Sequence, residues 1–133
     1  MRLIEEILEL EPGRTATARR VTKPDDWYFQ GHFPEEPVVP AIVLVEMIAQ
    51  TGGIAAYSSS DQPTQTMKSA RVAAFADFRF PGVAGPGADL RIRARVVAQI
   101  GALTRVEGEV LHGDTLLARG SVTLAEVSSG DDA

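Results

Sequence analysis

Two ionisable residues, His32 and Glu46, lie where their residue types are unusual. His32 is in a segment rich in proline and glycine, and Glu46 is the only carboxylate between Val38 and Tyr57, an otherwise apolar stretch. Histidine has an unperturbed pKa of about 6.5, so it can act as a base near neutral pH. Burial raises the pKa of a carboxyl group, so a buried glutamate keeps a proton that it can donate. The pair predicts acid–base chemistry, in which one group removes a proton from carbon and the other protonates a departing hydroxyl.

Each of these residues also has a structural interpretation. A lone histidine in a loop is more often structural than catalytic, and residue type alone favours that interpretation for His32. A buried glutamate is costly unless it is paired or functional, so Glu46 is left open between the two. Glu35 and Glu36 are interpreted as solvated charges, and His112 as a turn residue.

The apolar stretch predicts a helix that positions Glu46. Pro40 suits a first helical turn, and Ala41 to Tyr57 lacks proline and is apolar on nearly every side, which is typical of a helix buried all round. Unpaired amides near Ala41 and the positive end of the helix dipole can bind an enolate-like carbonyl oxygen. At Gly52-Gly53 either the helix ends or another backbone approaches closely.

The rest of the chain favours strands. Leu3 to Leu10 fits a short helix or a first strand, and Thr15 to Thr22 favours a strand. Period-two alternation then predicts half-buried strands and a hairpin, near residues 72–80, 90–96, 106–111 and 116–124. A sheet with one apolar face can wrap around an apolar helix. The predicted fold class is therefore α+β, a hotdog fold with an antiparallel sheet around a long central helix.

Composition limits the remaining possibilities. The 133 residues fit a single domain over 1–127, followed by a small, acidic, disordered tail over 128–133. The absence of cysteine excludes disulfides and thiolate metal sites, and a net charge of −5 argues against a nucleic-acid partner. Because the start of the chain lacks a charged-then-apolar signal and Glu46 interrupts the apolar stretch, we expect a cytoplasmic protein without membrane insertion.

The motif around His32 resembles a known family. The run GHFP at 31–34 and the segment LVEMIAQ at 44–50 are similar to the bacterial β-hydroxyacyl-acyl-carrier-protein dehydratases of fatty-acid synthesis. In that family the motif histidine is followed fourteen positions later by a helical Glu or Asp, which is the spacing of His32 and Glu46. The resemblance implies a hotdog dimer with its two helices side by side, and sites that combine the histidine of one subunit with the acid of the other. It leaves assembly beyond the dimer open.

The resemblance also implies a reaction. A (3R)-hydroxyacyl chain on the phosphopantetheine arm of an acyl carrier protein would lose water to give a trans-2-enoyl thioester, without a metal or another cofactor. His32 would be the base and Glu46 the acid. The Ala41 amide would bind the thioester carbonyl, with Gly31 as a second backbone contact, and Phe33, Pro40 and Ile42 would line the substrate tunnel. Basic residues near the strand that follows the helix are candidates for docking the acidic carrier: Lys68, Arg71 and Arg79. A second group of cations is interpreted as the solvated face of a strand: Arg91, Arg93 and Arg95.

Two positions depart from the family. Ala41 stands where the family typically has Gly, and Asp77 where it usually has Arg. The pathway is therefore open between fatty-acid synthesis and specialised polyketide or aryl-polyene synthesis. A hotdog thioesterase, in which Glu46 would activate water, and a non-catalytic acyl-binding subunit are the alternatives, because one fold hosts several reactions.

Overall fold

The computed structural model describes residues 2–30, 37–58 and 70–126. The described elements, in chain order, are β1 (Glu6–Glu11), β2 (Thr15–Val21), a 3-10 turn (Trp27–Phe29), α1 (Ala41–Tyr57), β3 (Ala70–Arg79), β4 (Asp89–Ile100), β5 (Leu103–His112) and β6 (Thr115–Glu126). The tail predicted to be disordered, 128–133, lies outside the described residues.

The six strands form one antiparallel sheet in the order β1-β2-β4-β5-β6-β3. β4, β5 and β6 are a meander of long hairpins, whereas β3 crosses over to pair with β6 at the edge of the sheet. For the first segment the strand alternative is confirmed, although the strand starts only at Glu6, after the buried Leu3 and Ile4.

Helix α1 packs across the inner face of this sheet, against β2, β4, β5 and β6. Inward-facing residues of the strands and the buried side of the helix form a single core, whose fully buried members include Met47, Ile48, Leu90, Ile92, Val106 and Val110. This is the predicted hotdog arrangement, with the sheet wrapped around a central helix.

The helix continues through Gly52-Gly53 without a break. A Cβ atom added at Gly52 would lie 2.6 Å from Val106 Cγ2 of β5. The expected end of the helix is therefore wrong, and at Gly52 a side chain approaches closely rather than another backbone. Gly108 of β5 serves the same contact further along, where an added Cβ would lie 2.5 Å from Ile48 Cγ2.

The expectation that every late strand is half-buried is wrong for β3. Nearly all of its residues are exposed in the single chain, among them Val72 and Phe75. Phe80, just beyond the end of the strand, is exposed as well. The reasons are its edge position and two register shifts, between Val72 and Ala74 and between Ala76 and Arg79, which interrupt the alternation. None of the described helices is both long and apolar enough to cross a membrane.

Candidate functional site

The sequence predicted that Glu46 is buried, but in the single chain its side chain is exposed. The reason is helical geometry: Ala41, Ile42 and Glu46 lie on one side of the first turns of α1, and the chain's own sheet does not cover that side. Ile42 is 63% exposed although it is a large apolar residue. Glu46 has no ion-pair partner among the described residues.

Two backbone amides at the start of α1 are unpaired within the described part of the chain. Pro40 is the N-cap, and its carbonyl accepts the amides of Val43 at 3.0 Å and Leu44 at 3.2 Å. The amides of Ala41 and Ile42 have no acceptor among the described residues. Free amides at a helix start, aided by the helix dipole, are suited to holding an anionic oxygen. Glu46 follows Ala41 by five residues, a rise of about 7.5 Å along the helix.

The other half of the predicted pair, His32, lies outside the described residues, together with Gly31 and Phe33. The chain on either side of them is anchored. Before them Tyr28 and Phe29 are buried, and after them the Val39 amide donates to the Ala84 carbonyl at 2.8 Å. The second anchor leads directly through Pro40 into α1.

Gln50 is a residue that sequence reasoning did not single out. It lies one helical turn beyond Glu46, is 7% exposed, and its side-chain oxygen accepts the Leu3 amide at 2.8 Å. This bond fastens the N-terminal segment to the helix that carries Glu46. The signal was available in the sequence, because Gln50, like Glu46, interrupts the apolar run between Val38 and Tyr57.

A second missed feature is a polar network beside the 3-10 turn. Arg20 donates to Asp26 at 2.6 Å, and the Tyr28 hydroxyl donates to the same carboxylate at 2.8 Å. Burial, reinforced by the bond to Asp26, raises the pKa of Tyr28 to about 12. Burial alone would also raise the pKa of Asp26, but hydrogen bonds from the Lys23 amide, Tyr28 and Arg20 outweigh it and hold that pKa below its usual range.

The candidate docking cations are not brought together. Lys68 lies outside the described residues, and Arg71 and Arg79 are exposed near opposite ends of β3. At the rise of a β-strand their Cα atoms are roughly 25 Å apart. They therefore cannot form one compact patch.

The arginines of β4 lie on the outer face of the sheet, as predicted for a solvated strand face. Arg93 pairs with Glu109 at 3.8 Å, and the same glutamate pairs with Arg119 of β6 at 3.7 Å. A shallow recess of about 880 Å³ runs across these alternating charges, and Arg79 is the one candidate site residue that lines it. Exposed pairs of this kind contribute little to stability.

Two further observations concern the chemistry available. Within the ranges that the structure describes, no group of three His, Asp or Glu side chains is placed to hold a metal ion. Asp77, which departs from the family pattern, has a φ of 60° in the irregular stretch between Ala76 and Arg79. Aspartate tolerates this left-handed conformation better than most residues.

Comparison with known proteins places this geometry in a family. A family model described as FabA-like domain matches residues 1–121. The chain is 35% identical over 128 residues to a 3-hydroxyacyl-acyl-carrier-protein dehydratase FabZ of Roseiflexus sp. (strain RS-1), covering 96% of this chain and 87% of that protein. The protein of the same name from Moorella thermoacetica is 31% identical over 126 residues, 92% of this chain and 84% of that protein.

Solved structures agree on the fold. The dehydratase heterocomplex ApeI:P from Xenorhabdus doucetiae matches with a TM-score of 0.76 at 17% identity, over 98% of this chain and 86% of that one. From the match to the family model and the identity to full-length relatives, we conclude that this chain belongs to the FabA-like family of hotdog proteins.

Proposed function

We propose that this protein dehydrates (3R)-hydroxyacyl thioesters carried by an acyl carrier protein, in fatty-acid synthesis. Relatives that this chain matches over 84–87% of their length are named 3-hydroxyacyl-acyl-carrier-protein dehydratases. The observation that carries the proposal is the placement of Glu46, an exposed carboxyl group a little more than one turn along α1 from the amides of Ala41 and Ile42, which have no acceptor among the described residues. A thioester carbonyl bound at those amides would bring the β-hydroxyl of its acyl chain toward Glu46.

Each residue has one role in the proposed reaction. The amide of Ala41, with that of Gly31, binds the thioester oxygen and stabilises the negative charge that develops on it. His32 removes a proton from the α-carbon, and Glu46 gives a proton to the β-hydroxyl, which leaves as water. The products are a trans-2-enoyl thioester and water, and neither step requires a metal or a nucleotide. Pro40 and Ile42, beside these amides, and Phe33 line the acyl tunnel.

The reaction needs a second copy of the chain. Glu46 is exposed in the single chain beside the exposed apolar Ile42. One edge of β3 pairs with no described strand, and Val72 and Phe75 of β3 are exposed. A long apolar edge strand is a template for pairing with another chain. Pairing of β3 with β3 of a second copy would bring the exposed sides of the two helices together, remove Glu46 from bulk water and place His32 of one subunit near Glu46 of the other.

The acyl carrier protein is the proposed partner. Carrier docking by Lys68 and Arg71, at the start of β3, predicts that the double substitution Lys68→Glu and Arg71→Glu raises KM for carrier-linked substrate. Turnover of a short soluble thioester should stay nearly unchanged. The carrier-linked reaction should also weaken with salt, since exposed charges are screened beyond about 8 Å at physiological ionic strength. Arg79→Glu, at the far end of the strand, tests whether docking extends across β3. Equal effects on both substrates would contradict carrier docking at these residues.

A product assay separates the proposed function from its alternatives. Purified protein is incubated with a 3-hydroxyacyl thioester, and enoyl absorbance and free thiol are followed together. Dehydration predicts enoyl product without thiol release. Free thiol without enoyl product would indicate a thioesterase, and neither product would indicate an acyl-binding subunit without activity.

A further inference from the structure

An arginine on the core side of β2 belongs to a hydrogen-bond network that has no part in the proposed reaction so far. Alternation along β2 puts Arg20 on the same face as the buried Ala16 and Ala18. Its side chain is only 15% exposed, and its Nη2 atom lies 2.6 Å from Asp26 Oδ1. A charged group in this position has to be matched by a nearby partner.

Asp26 is that partner, and both of its carboxylate oxygens are engaged. Oδ1 accepts Arg20, whereas Oδ2 accepts the Lys23 amide and the Tyr28 hydroxyl, each at 2.8 Å. The backbone of Asp26 takes part as well: its carbonyl accepts the Phe29 amide at 3.1 Å, which closes the 3-10 turn. Through its side chain and its backbone, Asp26 therefore fixes both the preceding Lys23–Asp26 turn and the 3-10 turn that follows it.

Stability alone does not explain the network. Arg20 Nε is buried without a hydrogen-bond partner among the described residues, which costs free energy. Burial is the largest single influence on the pKa of both Arg20 and Asp26 and opposes the charged form of each, although the hydrogen bonds and charges around them outweigh it. Buried ion pairs contribute little net stability compared with apolar residues of the same volume, and one of their attested uses is to specify a geometry.

The geometry specified here is the entry to the segment that contains His32. Tyr28 and Phe29 are buried, at 2% and 6% exposure, and their rings pack against each other with centroids 4.9 Å apart. His32 follows Phe29 by three residues, so their Cα atoms can be at most about 11 Å apart. The 3-10 turn is therefore the last described element of the chain before His32.

We infer that the network of Arg20, Asp26 and Tyr28 positions His32 for proton abstraction, with Asp26 as its central positioning residue. The inference rests on the proposed function, because it presumes that His32 is the base. It predicts a loss in the rate of the chemical step that exceeds any loss of stability, since misplacing a reacting group by about 1 Å can cost roughly 10²-fold in rate.

The first test is Tyr28→Phe, which removes one hydroxyl and keeps the buried ring. Tyr57→Phe is the matched control, because the Tyr57 hydroxyl is also buried but has no hydrogen-bond partner among the described residues. With substrate deuterated at the α-carbon, Tyr28→Phe should lower kcat by about 10-fold or more, with KM nearly unchanged and a primary isotope effect at least as large as in the wild type. Tyr57→Phe should leave kcat and the isotope effect as they are.

Asp26→Asn and Asp26→Glu complete the test. Asparagine keeps the size but removes the charge that Arg20 requires, whereas glutamate keeps the charge. We expect Asp26→Glu to recover part of the kcat that Asp26→Asn loses, both measured on folded protein well below Tm. Wild-type kcat and isotope effect in Tyr28→Phe, or losses that only follow the fall in Tm, would overturn the inference. His32→Ala separates the two proposals: if it is fully active, the proposed function fails, and if it is inactive while Tyr28→Phe is normal, only the positioning role fails.

Discussion

Among single residues, Glu46 differs in its surroundings from the paired glutamates of β5. Glu107 and Glu109 lie on the outer face of the sheet and pair with arginines, whereas Glu46 lies on the central helix with no ion-pair partner in the described chain. An unpaired carboxyl group beside exposed apolar surface is poorly explained by folding. It is well explained by a reaction that needs a proton donor once a second subunit covers the helix.

We therefore predict that Glu46→Gln lowers kcat for dehydration by about 10²-fold or more, because the amide keeps the shape but cannot deliver the proton. Tm should change little, since the substituted group is exposed in the single chain and makes no ion pair. Glu107→Gln on the outer face is the matched control, and its kcat should stay within about two-fold of the wild type. An active Glu46→Gln enzyme with an unchanged Tm would remove Glu46 from the mechanism.

Among the elements, the contact between α1 and β5 sets how deeply the helix sits in the sheet. Gly52 allows Val106 to touch the helix backbone, and Gly108 allows Ile48 to touch the strand. Side chains at these glycines would push the helix away from the sheet. Glu46 lies within two turns of Gly52 on the same helix, so the depth of the helix also determines where Glu46 is held.

The contact predicts an effect of Gly52→Ala that depends on its neighbour. Helix propensity alone should stabilise the variant by about 1 kcal/mol, but crowding against Val106 should cost about 1–3 kcal/mol. We expect Gly52→Ala to lower Tm in the wild type and to be clearly less harmful, or stabilising, in a Val106→Ala background, where both Cγ atoms are gone. Equal effects in the two backgrounds, measured by thermal unfolding, would show that this contact does not limit the helix position.

The sequence predicted most of these elements because their patterns are local. The apolar run predicted the helix over Ala41–Tyr57, the β-branched residues between Thr15 and Thr22 predicted β2, and alternation located the β5–β6 hairpin. The sequence did not predict the exposure of β3. That exposure depends on which strand pairs with β6 and on register shifts rather than on composition. The burial of Glu46 was wrong for a related reason, since the sheet covers only part of the helix.

The site was predictable in part as well. Residue type and spacing singled out Glu46 and the helix start, and the structure places them on one exposed side of α1. They did not single out Asp26, because an aspartate in a polar turn is the commonest kind of aspartate. Its importance depends on the inward Arg20, six residues earlier, and only alternation along β2 could have drawn attention to that arginine.

For the whole molecule, the proposed site is incomplete in the single chain. The edge of β3 that pairs with no described strand carries the exposed Val72 and Phe75, and the exposed side of α1 carries Ile42 beside Glu46. A second copy would cover both surfaces. Phe75→Asp places a charge on that edge and should shift the protein toward monomer in light scattering, with loss of activity. Ile100→Asp is the matched control: Ile100 is 77% exposed, but at the tip of the β4–β5 hairpin, so the dimer should persist. An active monomer of Phe75→Asp would contradict the shared site.

Subunit mixing tests most directly the central claim, which is that dehydration uses His32 of one subunit and Glu46 of the other. His32→Ala and Glu46→Gln proteins, each nearly inactive alone, are mixed in equal amounts and allowed to exchange subunits. Half of the resulting dimers would be mixed, and each mixed dimer would contain one intact site of two, so enoyl formation should recover to about a quarter of the wild-type rate. If subunit exchange is complete and the mixture remains as inactive as its components, the two residues do not form a site across two subunits, and the account is wrong.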